Sequence, residues 1–473
     1  MAEHLTPLDA AFLELEDGDE SSHMHVGWTL VFDPPPGGDT PSVDQLVSLL
    51  AERLDLLPHF RRRLSSPRVG RFSWPEWVED PSFDVANNVR RASLPAPGGD
   101  AELLDWLGDF YSHRLDRAHP LWEITLLEGL EEGRWALACK VHHSLVDGIS
   151  GALVTSVILD AEPEPPAGSR GLLEALPPAP EGDPGVASPL TLVARGARAG
   201  IDVALHPRRL PGMFERSRAL ADFVVHDELV GAPPSSLNVD VGATRRLAAL
   251  TVPLAELKEV KRSLGGTVND VVLAACAGGL RRLLQSRGEP LPAAGIRAQV
   301  PVSVREASEL LALGNRVSSL FVDLPVSART PLSRYRRTVA ATEQLKAGRR
   351  GSGAETMIDL AGLAPPVLHA LVARLSFAPR LFNVTITNVP GSPTTLYAFG
   401  APVHRVVPLV PIFARHCVGI AAVSYHGELT FGLNADRATV PDLDELERGI
   451  GDSLSELVEL ARRPGRRRAR AHA

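Results

Sequence analysis

Cysteine is scarce in this chain: Cys139, Cys276 and Cys417 are the only ones in 473 residues, odd in number, far apart and without Cys-x-x-Cys spacing. That excludes a disulfide framework and a thiolate metal site, and it fits free thiols in a reducing compartment. Lysine is also rare, present only at positions 140, 258, 261 and 346, with arginine making up the rest of the cations. We read this as a coding bias and not as function. No apolar run reaches the roughly 18 uninterrupted residues that a membrane span needs. The opening Met1-Ala2-Glu3-His4 lacks the charged-then-apolar order of a signal sequence. Contact with lipid is therefore expected to be peripheral and the location cytoplasmic. A net charge of −8 leaves no basic face for nucleic acid outside the C-terminal tail. No serine sits in a Gly-x-Ser-x-Gly elbow and no cysteine has activating neighbours, so an acyl-enzyme has no evident host.

What the chain does hold is apolar enough, at 44%, to exclude wholesale disorder, and too long for one core, so two domains are expected. The texture changes between residues 161 and 190, where Glu162-Pro163-Glu164-Pro165-Pro166 and Pro177-Pro178-Ala179-Pro180 mark a semi-rigid linker. The expected organisation is an N-terminal domain over 1–160, a linker over 161–190, a C-terminal domain over 191–461 and a basic tail over 462–473.

Chemistry concentrates at Val141-His142-His143-Ser144-Leu145-Val146-Asp147-Gly148. An apolar run from Trp135 to Val141 predicts a buried strand before it, and Ile149 to Leu159 a helix after it. Neighbouring residues on an extended segment point to opposite sides, so one histidine is chemistry and the other support. Asp147 stands where a helix N-cap belongs, and Gly148 permits close backbone approach.

Upstream, Leu5-Thr6-Pro7-Leu8-Asp9 opens a short apolar helix, Met24 to Phe32 reads as a strand and Ser42 to Leu54 as a helix. Leu57-Pro58-His59-Phe60-Arg61-Arg62-Arg63 is either a solvated face or a rim for CoA phosphates. Pro120-Leu121-Trp122 precedes a strand over Ile124 to Leu127. Downstream, residues 190 to 230 interleave apolar and arginine positions, giving an amphipathic surface for the protein itself or for lipid. Strands are predicted over 247–252, 296–300, 317–324, 382–391 and 427–436, and helices over 271–284 and 443–460. Thr267 is a plausible N-cap, with Asn269 and Asp270 in the first turn as caps or as functional groups.

These segments, in this order, resemble the bacterial wax ester synthase/diacylglycerol acyltransferase family. The fold implied is α/β, with two chloramphenicol-acetyltransferase-like domains, each a mixed β-sheet flanked by helices, and an active-site channel at their interface. The activity implied is transfer of a long acyl chain from acyl-CoA to diacylglycerol or a long-chain alcohol, at a lipid-droplet or inner-membrane surface. By resemblance His143 is the general base and His142 is packed behind it. Asp147 holds the loop beside Gly148, and Asn269 contributes to activity. Pro120, Leu121, Trp122, Asp270, Asn383 and Thr385 are expected at the substrate cavity; Trp122 alone reads equally as core packing. Neither metal nor cofactor is expected, since adjacent histidines splay apart. Pro233-Pro234-Ser235-Ser236-Leu237-Asn238 keeps only Leu-Asn of the family's entry to the second domain, so that loop receives no role. The plant-type Asp-Phe-Gly-Trp-Gly motif is missing. The competing readings are a silent lipid-surface binder on the same fold, an amide-forming condensation enzyme and a hydrolase.

Overall fold

A computed structural model of the chain describes residues 3–5, 7–35, 37–66, 75–145, 155–166, 168–172, 231–303, 317–348 and 381–463. The first half runs β1 (Glu3–His4), α1 (Pro7–Gly18), β2 (His25–Phe32), α2 (Val43–Arg53), β3 (Arg62–Leu64), β4 (Glu76–Glu79), β5 (Val89–Ser93), α3 (Asp100–Ser112), β6 (Trp122–Glu128) and β7 (Trp135–His142). The second runs β8 (Arg245–Pro253), α4 (Leu254–Leu264), α5 (Val268–Ser286), β9 (Ile296–Ser303), β10 (Val317–Leu324), α6 (Pro331–Gly348), β11 (Val384–Pro390), β12 (Tyr397–Ala398), β13 (Ala401–Leu409), β14 (Val418–Tyr425), β15 (Glu428–Asp436) and α7 (Leu443–Arg462).

β2 and β7 are mostly apolar and every residue in both is buried, the mark of strands covered on two faces. On one face Trp135, Leu137, Cys139 and Val141 pack with Leu46 and Leu50 of α2. On the other, the small Ala136 and Ala138 admit Leu103, Leu107, Phe110 and Tyr111 of α3. The Tyr111 hydroxyl donates to the Cys139 carbonyl at 2.9 Å and leaves no space for a side chain at Gly27, where a Cβ would lie 2.3 Å from the phenol oxygen. Buried Lys140 caps the C-terminus of α3 by donating to the Phe110 and His113 carbonyls, so its charge meets the negative end of the helix.

Two six-stranded mixed sheets result, in the orders β12-β13-β2-β7-β6-β5 and β10-β9-β11-β14-β15-β8, and β1, β4 and β3 form a small third sheet. This is the expected α/β architecture with one refinement: the second half builds a sheet wholly from its own strands, whereas the first half's sheet is completed by β12 and β13 of the second. β13 leaves the second half and pairs antiparallel with β2, from Val403 opposite Phe32 to Leu409 opposite Gly27. An eight-residue buried strand such as β2 cannot be left as an open edge, and β13 satisfies its outward N–H and C=O groups. The boundary expected near 160 is likewise stitched shut, because Asp160 and Tyr397 exchange backbone hydrogen bonds. Most of the expected linker, the arginine-interleaved stretch to 230 and the tail from 464 lie outside the described residues.

In the second half α5 is buried from Asp270 through Leu280 and packs on α7. Among the described residues no single helix is long and apolar enough to cross a membrane.

Candidate active site

The histidine loop is fixed by its backbone before any side chain is considered. β2 and β7 pair so that His25 stands opposite His142. The His142 N–H donates to the Leu121 carbonyl at 3.0 Å, the His143 N–H to the Met24 carbonyl at 2.7 Å, and the Leu145 N–H back to His142 at 2.9 Å. A tight turn therefore begins where β7 ends, and both flanking strands hold it.

The two imidazoles then separate. His142 is 1% exposed. Its Nδ1 lies 3.1 Å from the Ser144 N–H and 2.7 Å from the Ser144 hydroxyl, and its Nε2 faces Glu16 at 3.4 Å. His143 is only partly buried, and its ring stacks on Phe12 of α1 with centroids 4.1 Å apart. Asp147 and Gly148 lie outside the described residues.

Glu16 was not singled out by sequence reasoning; the available signal was its place four residues after Phe12, on the same helical face, in a segment that also carries Asp9, Glu14 and Asp17. Burial pushes its carboxyl upward, but His142, with His25 and Arg117, holds it well below the usual carboxylate range. Burial keeps His25 well below the ordinary histidine value and lowers His23 to about 4, the nearby Arg245 charge adding to the effect at His23. Burial also raises all three thiols, which disfavours a cysteine nucleophile. Among the described residues no group of three or more His, Cys, Asp or Glu side chains is arranged to hold a metal ion.

The site sits at the seam of the halves. Phe12, Leu15 and Met24 form one apolar cluster with Phe382 and Phe413 of the second half. The loop before β2 is gripped from the same side, the Ala414 N–H donating to the Ser22 hydroxyl at 2.6 Å and the Arg245 guanidinium to the Ser21 carbonyl. A small void between the halves, lined by residues including Thr29, Tyr111, Leu247, Pro408 and Gly432, does not include His143.

Several expected substrate contacts prove to be scaffold. Trp122 is 2% exposed, donates through Nε1 to the Phe60 carbonyl at 2.7 Å and belongs to the first core, so of its two readings the packing one describes it. Pro120 and Leu121 act through their carbonyls, which accept from Asn88 and from His142. Asp270 closes a capping box: Oδ2 accepts from the Thr267 N–H and hydroxyl, both at 2.7 Å, and Oδ1 from the Thr342 hydroxyl at 2.6 Å. Asn383 accepts from the Arg297 N–H and donates to the Pro233 carbonyl and to Asn238, whose loop had been given no role. Thr385 donates to Gln299 at 3.2 Å. Buried polar groups need partners, and here the protein supplies them where a cavity was expected to. Asn269 is only partly buried, its carbonyl accepting from Asn388 at 3.3 Å. Arg61, Arg62 and Arg63 each face a carboxylate, Asp55, Glu79 and Asp80, which favours the solvated reading over a CoA rim.

The family model of the wax ester synthase/diacylglycerol acyltransferase catalytic domain matches residues 5–272, and that of the WS/DGAT C-terminal domain matches 313–458. A probable diacylglycerol O-acyltransferase of Mycobacterium tuberculosis, tgs1, is 33% identical over 465 residues, covering 97% of this chain and 96% of its own. A second from that organism, tgs2, is 34% identical over 461 residues, covering 96% and 98%. The solved wax ester synthase/diacylglycerol acyltransferase of Marinobacter aquaeolei superposes with a TM-score of 0.70 at 28% identity, covering 97% of this chain and 99% of that one. The starter condensation domain of rhizomide synthetase superposes at 0.61 with 15% identity over 97% and 94% of the chains, a likeness of fold alone.

Proposed function

The chain belongs to the wax ester synthase/diacylglycerol acyltransferase family and is an acyltransferase, and we propose that it transfers a long acyl chain from acyl-CoA to the hydroxyl of diacylglycerol or a long-chain alcohol, with His143 as the general base that removes the hydroxyl proton. The observation that carries the reading is the unequal treatment of the two imidazoles. His142 is locked between Ser144 and Glu16, whereas His143, partly exposed at the seam, has its peptide pinned by Met24 and one ring face laid on Phe12.

An alcohol is too weak a nucleophile to attack a thioester unless its proton is removed as the C–O bond forms, and an imidazole that titrates near neutrality suits that task. In the reaction His143 takes the hydroxyl proton and the alcohol oxygen adds to the thioester carbonyl. The resulting oxyanion collapses with cleavage of the C–S bond, and the proton passes to the departing CoA sulfur. Oxyanion stabilisation calls for a donor. Asn269, at the N-terminus of α5 and with its amide carbonyl engaged by Asn388, is our candidate. The buried, raised thiols support direct transfer within a ternary complex over an acyl-enzyme.

Purified protein given palmitoyl-CoA with diolein or a long-chain alcohol should release CoA, and His143→Ala should lower turnover by at least about 10²-fold with the fold intact. A folded His143→Ala protein turning over near the parent rate would remove the base assignment. Wild-type silence with every alcohol offered would remove the substrate reading.

A further inference from the structure

The described carboxylate beside the histidine pair is supplied by α1, outside the histidine motif. Phe12 and Glu16, four residues apart, share one face of this helix, and that face meets both rings: Phe12 the ring of His143, Glu16 the ring of His142. Glu16 is 2% exposed. Its Oε2 lies 3.4 Å from His142 Nε2 and accepts from Arg117 Nη2 at 2.6 Å, while Oε1 faces the Met24 N–H at 3.4 Å. The His25 Nε2 stands 3.9 Å from Oε1 but accepts from the Leu115 N–H at 3.4 Å, so that nitrogen offers Glu16 no proton. On the far side of the His142 ring, Nδ1 meets the Ser144 N–H. A backbone N–H can only donate, so Nδ1 carries no proton and the ring proton sits on Nε2, where Glu16 meets it as a nearby charge and not as an aligned hydrogen bond.

We infer that Glu16 is a positioning residue for the transfer: its carboxylate faces the Nε2–H that the Ser144 N–H leaves on His142, fixes the orientation of that ring, and through the His142–Ser144 contact fixes the turn that presents His143 to the acceptor hydroxyl. The arrangement is that of a carboxylate orienting an imidazole, with the second imidazole and not the first doing the proton transfer. A turn set wrongly by an ångström is enough to lose on the order of 10²-fold in rate. The inference rests on the reading of His143 as base, and its test separates the two.

Glu16→Gln conserves the shape, yet both carboxylate oxygens face donors, so the new amide NH2 must abut either Met24 N–H or the Arg117 and His142 side. The expected result for the purified full chain is a kcat lowered at least about tenfold, with the KM for palmitoyl-CoA within about twofold. His142 nitrogen resonances should show the Nε2-protonated form in both proteins, as the Ser144 N–H requires, with the Nε2 resonance moved in Glu16→Gln by loss of the facing carboxylate charge, a change that mere space-filling by residue 16 would not produce. The pH dependence of kcat/KM should shift as well, with His142, His25, His23 and Arg117 the titratable and charged side chains around the altered group.

Parent-like kcat in a folded Glu16→Gln protein would overturn the inference, as would a parent His142 protonated on Nδ1. His143→Ala measured alongside distinguishes the failures. If it is silent while Glu16→Gln is normal, only the inference about Glu16 falls; if it is active, the base assignment falls first.

Discussion

Asp270 has both oxygens engaged, by Thr267 at the start of α5 and by Thr342 on α6, although it was expected at the substrate cavity. Asp270→Ala would strip the capping box and leave buried donors unmet, at a cost of about 2–3 kcal/mol. Thermal unfolding should therefore move well before the KM for acyl-CoA does; a raised KM at unchanged Tm would return Asp270 to the substrate. His23 and His416 give a pH dependence at the same scale, both held at about 4 chiefly by burial. Each is neutral in the fold, whereas the unfolded chain takes up their protons near pH 6.5. Their contribution is thus complete above about pH 6.5 and is lost as the pH falls toward 4. Tm measured across that window should drop by several degrees, and a flat profile would refute the burial argument. Sequence anticipated unequal roles for His142 and His143 from strand alternation, and the structure separates them by placing His142 as the last residue of β7 and His143 in the turn that follows. Glu16 was not legible, since its meaning depends on which strand end α1 crosses.

Glycines set the distance between the two largest helices of the second half. A Cβ on Gly279 of α5 would lie 2.6 Å from the Ile450 side chain and 2.8 Å from the Leu446 carbonyl of α7. Helix propensity alone predicts that Gly279→Ala stabilises by about 1 kcal/mol. The backbone oxygen cannot step aside, so we expect overpacking to win and the variant to lose about 1–2 kcal/mol net. The sign of the Tm change decides between the two effects. Elements with a clean period were legible: the strand predicted over 317–324 is observed over those residues, and the helix predicted over 443–460 extends to Arg462. Thr267 is the N-cap that its position suggested. α3, α4 and α6 went unassigned. So did β12, β13 and β14; β13 carries a mixed burial pattern and a register irregularity between Val403 and Arg405 that blur its alternation.

At the scale of the whole molecule a two-domain fold was readable from length and from the family resemblance, but the exchange of β13 was not, because no local signal reports a partner so far away in the chain. The second half closes the first twice, once by β13 along β2 and once by the Arg245 and Ala414 contacts to the loop behind the histidines. Residues 1–160 produced alone should therefore be sticky, and adding a peptide spanning 396–411 should improve their solubility. Equal solubility with and without the peptide would show that the exchange is dispensable.

That exchange also imposes a wait during synthesis. Thr29 faces Val407 across the ladder. At ordinary translation speeds of about 5–20 residues per second, the nascent chain must grow for roughly 20 to 75 s after the first of these leaves the ribosome before the second follows. For that interval a strand that is buried along its whole length in the finished protein has no permanent neighbour on one flank, so the first half stays open to mispairing until translation is nearly complete.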